Sequence, residues 1–77
     1  MSKRHQRFSA MVEGVRDAVE LVGGQRELSR ILGRTQPAVS NWLYNGVPDS
    51  EAEKFEELFG IPAEKVKRTT IKALRGE

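Results

Sequence analysis

Glycine stops at Gly23-Gly24, Gly33, Asn45-Gly46 and Gly60 divide this chain into stretches too short for any long helix. Between the stops, apolar residues recur three or four positions apart, the spacing that puts them on one face of a helix. A chain divided in this way is expected to fold as several short helices around a shared core. With 77 residues it has material for one small domain, whose modest core would gain from dimerisation.

The first helix is expected from about Ser9, a plausible cap, to Val22. Phe8, Met11, Val12, Val15, Val19 and Val22 share one face, and Glu13, Arg16, Asp17 and Glu20 fall on the other. The second is read as Gln25–Leu32, with a stripe of Leu28, Ile31 and Leu32. The third is read as Gln36–Tyr44, capped by Thr35, with Pro37 in a first turn that needs no N–H from it. The fourth is read as Asp49–Phe59. Ser50 and Glu53 suggest a capping box there, and Ala52, Phe55, Leu58 and Phe59 its buried face. A short fifth helix opens at Pro62 and runs toward Val66. Beyond it Ile71 and Leu74 do not share a face with Val66, and Thr69-Thr70-Ile71 fits a strand or a loose tail equally well. The expected fold is all-α: four or five helices packed around Val15, Val19, Leu28, Leu32, Val39, Trp42, Phe55 and Leu58, with the C-terminal tail open. The domain would span 9–66, between a flexible basic arm at 1–8 and a basic tail at 67–77 that is a candidate dimerisation segment.

Composition narrows the chemistry. There is no cysteine, and the single histidine, His5, has no second ligand near it, so neither a disulfide nor a zinc site is expected. No nucleophile–base pair or phosphate-cradling glycine loop is present, and no enzyme activity or cofactor is expected. The apolar runs are too short to span a membrane, and Met1–Arg7 lacks the apolar core of a signal peptide; a cytoplasmic protein is expected. The net charge of +2 conceals a pattern. Residues 1–48 carry seven basic and four acidic side chains, residues 49–64 one and six, residues 65–77 five and one. An acidic block between two basic ones fits a protein with one face toward a polyanion and another turned away.

The stretch Gln25 to Tyr44, QRELSRILGRTQPAVSNWLY, reads as two short helices around a tight turn at Gly33. On the second, steps of about 100° place Gln36, Pro37, Ser40, Asn41 and Tyr44 on one arc and Ala38, Val39, Trp42 and Leu43 on the other. The polar arc has no Lys or Glu, the common residues of a solvated helix face. It carries amides and a hydroxyl, groups that bond base edges in the major groove. Arg26, Arg30 and Arg34 flank it and suit phosphate, which fixes register without reading sequence. The Tyr44 hydroxyl has two readings: it reaches phosphate, or its ring covers the following loop.

These residues resemble the helix-turn-helix of phage Cro and repressor proteins and of Cro-like prophage antitoxins. The resemblance rests on Gln25, Leu28, Leu32, Gly33, Gln36-Pro37-Ala38-Val39-Ser40 and Trp42. It continues through Asn45-Gly46-Val47-Pro48 and Gly60-Ile61-Pro62-Ala63-Glu64, so it spans about Gly23 to Val66. It implies a lambda-repressor-like fold in a bacterial or phage setting, base contacts from Gln36, Pro37, Ser40 and Asn41, and phosphate contacts from Gln25 and Thr35. Arg26, Arg34 and Tyr44 complete the expected phosphate set. Two positions depart from the family pattern. Arg34 stands where a small aliphatic residue is usual, and Ser29 replaces an alanine. The expectation is a regulator that occupies double-stranded operator DNA, as a homodimer on a palindromic site. The alternatives are an antitoxin, which would add a toxin partner, and a helical protein-interaction module that does not use DNA.

Overall fold

The computed structural model describes residues 11–76. The basic arm at 1–8, with Lys3, Arg4, His5 and Phe8, the Ser9 cap and Glu77 lie outside the described residues. Five α-helices follow in order: α1 Glu13–Val22, α2 Gln25–Leu32, α3 Gln36–Asn45, α4 Asp49–Phe59 and α5 Arg68–Arg75, with a 3-10 turn at Ala63–Lys65 before the last. The fold is all-α, as the glycine stops and apolar spacing predict. Gly23, Gly33 and Gly60 each end a helix in the left-handed conformation, which a side chain disfavours.

α1 begins at Glu13, four residues later than the sequence suggests. Val12 is extended, and its N–H donates 2.7 Å to the Leu43 carbonyl near the end of α3. That bond ties the entry of α1 to another element and excludes an earlier helical start. The expected capping box on α4 does not form either. The helix is capped by Pro48, whose carbonyl accepts from Glu51 and Ala52, so Ser50 lies inside the first turn. The tail after Val66 is neither strand nor loose chain. It forms α5, which packs on α3 and the 3-10 turn and seats Ile71 against the core. An eight-residue helix is marginal alone, so this tertiary seat is what makes it helical.

Val12, Val15, Ala18, Leu28, Leu32, Val39, Trp42, Leu43, Val47, Ala52, Phe55 and Val66 form one buried cluster, with Val19 and Phe59 partly buried against it. Two expected core residues lie outside. Leu58 is 55% exposed, because the face of α4 that the core covers runs through Ala52, Phe55 and Phe59 and Leu58 lies at its edge. Ile31 is 45% exposed, beyond the stripe that buries Leu28 and Leu32. Val47 and Val66, both wholly buried, take up core positions that helical spacing does not reveal, since both lie between helices.

Val66 sits where three segments cross. The Val47 N–H donates to the Val66 carbonyl and the Arg68 N–H to the Val47 carbonyl, both at 2.8 Å, around a parallel bridge between Val47 and Lys67. Gly14 of α1 backs onto the same place. A Cβ there would lie 2.6 Å from Val66 Cγ1 and 2.8 Å from the Lys65 carbonyl oxygen. In an open helix, Gly→Ala gains up to about 1 kcal/mol of propensity. Overpacking against a backbone carbonyl outweighs that gain, so Gly14→Ala is expected to destabilise the protein by about 1–3 kcal/mol. Urea unfolding at neutral pH measures it.

Candidate nucleic-acid interface

The turn between α2 and α3 is built from local bonds. Gly33 (φ 69°) donates its N–H to the Arg30 carbonyl, and Arg34 donates 2.8 Å to the Ser29 carbonyl, closing α2. Thr35 then opens α3: its hydroxyl oxygen accepts from the Ala38 N–H at 3.3 Å. The acceptor side of Thr35 is thus used within the chain, while its O–H proton remains a donor suited to phosphate. Ser29 fits where close packing requires a small residue. It is buried, and its Oγ donates 2.7 Å to the Arg26 carbonyl, so the extra oxygen has a partner.

The inner arc of α3 buries Val39, Trp42 and Leu43. Trp42 is therefore a core residue and no stacking platform. On the outer arc Gln36, Pro37 and Asn41 are exposed and Ser40 is half-buried. Gln25, at the start of α2, joins Gln36, Pro37 and Ser40 around one shallow open depression. Asn41 lies further along α3. Tyr44 is partly buried, its ring against the core. Arg26 is exposed on the first turn of α2, beside Gln25.

The other arginines of this region are held by carboxylates. Arg30 pairs with Glu27 of its own helix at 2.5 Å. Arg34, in the turn, pairs with Glu51 on the first turn of α4. The Glu51 side chain is only 8% exposed, and Lys54 Nζ lies 3.4 Å from its other oxygen. Charge in the acidic block thus turns inward at one point and braces the turn from behind. The pairing spans 17 residues, and no spacing rule points to it. The residue types at the two positions, a cation where an aliphatic residue is usual and an acidic helix nearby, were the only signal. Among the described residues no group of His, Cys, Asp and Glu is arranged to hold a metal ion, and no helix is long and apolar enough to cross a membrane.

Residues 15–72 match the family model described as bacterial toxin YdaS, three quarters of the chain. The chain belongs to this family, a Cro/CI-like helix-turn-helix family of prophage-encoded proteins. Neither a curated protein nor a solved structure matches it. The match bears out the resemblance carried by Gln25–Trp42 and extends beyond Val66 into α5 as far as Lys72.

The Arg34 hydrogen bond holds the Glu51 carboxyl below the usual carboxylate range, against the opposing effect of burial and with Lys54 assisting. A group whose native pKa is lowered stabilises the fold above its unfolded pKa. That contribution is lost as pH falls through the native value. Urea midpoints of the wild type should therefore drop on acidification below the ordinary carboxylate range. Glu51→Gln should start from a lower midpoint at neutral pH and respond less to acid. Equal acid responses of the two proteins would show that the pair does not brace the turn.

Proposed function

We propose that this protein is a sequence-specific double-stranded DNA-binding transcriptional regulator, a Cro-like repressor that works by occupying operator DNA. One observation carries the reading: the exposed arc of α3 offers amides and a hydroxyl without Lys or Glu, on a helix anchored by Val39, Trp42 and Leu43. In this reading Gln36 and Asn41 make paired hydrogen bonds to base edges, adenine N6 and N7 being the natural partners of an amide. Ser40 adds a single bond and Pro37 an apolar contact. Gln25, Arg26, Thr35 and Tyr44 hold phosphates on either side and set the register. Arg34 contributes through the donors that its pairing with Glu51 leaves over, since its side chain is still 46% exposed.

The proposed activity is binding alone, in the cytoplasm where the chromosome lies, and involves no catalytic step or cofactor. One module makes few base contacts. Useful affinity then comes from two copies on a palindrome, with half-sites about one helical turn apart. The description of the family as a bacterial toxin supports a second reading, in which the protein is one partner of a toxin–antitoxin pair. Occupancy of host DNA would link the two readings, and toxicity on overexpression would then depend on the same arc of α3.

Selection of duplexes from a random pool tests the proposal. An enriched palindrome is expected. Gln36→Ala and Asn41→Ala should each weaken binding to it by about 1–3 kcal/mol and relax preference at one position per half-site. Binding without enrichment, or enrichment indifferent to both substitutions, would count against base reading by α3.

A further inference from the structure

The base-reading arc accounts for α2 and α3 and leaves the charge of the C-terminal segment without a role. Residues 65–76 include Lys65, Lys67, Arg68, Lys72 and Arg75 and no acidic residue. On α5, Arg68 and Lys72 stand four residues apart, the spacing of neighbours on one helix face.

The placement of this face is firm. The backbone bonds around Val47 join the start of α5 to the loop that leaves α3. The approach at Gly46 is so close that a Cβ there would lie 2.8 Å from Arg68 Cα. Arg68 Nη2 lies 3.5 Å from the Gly46 carbonyl oxygen and donates to it. The guanidinium is therefore held at the carbonyl end of α3, where the helix dipole favours a cation and where α3 has no basic residue in its own last turn. The bond to Gly46 does not satisfy the side chain, because its buried Nε has no acceptor. A guanidinium has five N–H donors, and those on the outer nitrogens remain suited to an anion.

The dimensions of DNA then matter. A helix of ten residues is about 15 Å long, and the major groove is about 12 Å wide. If residues Gln36 to Asn41 read base edges, the opposite end of α3 reaches the rim of the groove, where the phosphates run. We infer that Arg68 and Lys72 form a second DNA contact, a clamp on the backbone phosphates beside the C-terminal end of α3. This step rests on the DNA-binding reading above and extends it to α5. The clamp fixes how α3 lies in the groove and contributes affinity without sequence preference.

The experiment uses the full chain and the duplex enriched by selection, with affinity measured by fluorescence anisotropy over a series of salt concentrations. Lys72 is exposed, so Lys72→Gln should fold as the wild type does. Arg68→Gln removes the bond to Gly46, and Arg68→Lys keeps the charge as a control for that structural loss. Each neutralised phosphate contact should lower the slope of log K against log salt by about 0.9. Lys72→Gln is expected to show that single loss and Arg68→Gln/Lys72→Gln about twice it, with the ranking of operator variants unchanged. Arg68→Lys should keep the wild-type slope. Wild-type slope and affinity in Lys72→Gln and in the double variant, while Gln36→Ala still loses selectivity, would overturn the clamp and leave α3 as the reader. An unchanged slope with altered sedimentation of Lys72→Gln would also overturn it and mark α5 as a surface for a second copy. Absence of wild-type binding to any duplex would overturn both readings.

Discussion

The outer arc of α3 takes its position from the inner one. Val39, Trp42 and Leu43 are buried among residues of every other helix, in a cluster that includes Val15, Leu28 and Phe55. Burial of one large apolar side chain stabilises a fold by about 1.5–3 kcal/mol, so three on one helix rival the stability of a small domain. The helix therefore has one stable orientation. Gln36, Pro37, Ser40 and Asn41 face outward because their neighbours in sequence are held inward, not because any contact of their own fixes them.

Both ends of α3 are secured by different means. The N-terminal end is local: Gly33 turns the chain, Thr35 caps the helix, and Glu51 holds Arg34 across the turn. The C-terminal end is not local. Val12 bonds to Leu43, Val47 to Val66 and Arg68 to Val47, so the entry of α1 and the start of α5 both converge on the exit of α3. Gly14 and Gly46 permit that convergence by having no side chain at the crossing. A helix held in this way can be inserted as a rigid unit into a groove, and rigid presentation reduces the entropy cost of binding.

Electrostatics divides the surface in a way consistent with that use. The acidic residues concentrate on α4, away from the arc of α3, and one of them, Glu51, is buried in support of the turn. Cations lie near both ends of α3: Arg26 and Arg34 at the start, Arg68 at the finish. The net charge of +2 hides this arrangement, since carboxylates placed elsewhere cancel most of it in the sum.

Much of this was legible without coordinates because it depends on short-range rules. Helices α2, α3 and α4 follow from apolar spacing and glycine stops. The cap at Thr35 and the division of α3 into two arcs follow from residue type and the helical period. The candidate site was legible as a face for the same reason, since every residue on it lies within a few turns of Gly33. What the sequence alone left open, or led one to misplace, depends on contacts between distant segments. The late start of α1 is set by a bond from Val12 to Leu43. The formation of α5 is set by docking around Val47 and Val66, although Thr69-Thr70-Ile71 has β-branched character. The exposure of Leu58 and the inward turn of Glu51 are set by what lies opposite each of them. The sequence by itself determined a helix-turn-helix with a polar reading face, because helical period, caps and stops act within a few residues. Only the tertiary structure decided what braces that face and which distant cations stand beside it, because packing and long-range ion pairs are made between residues that no spacing connects.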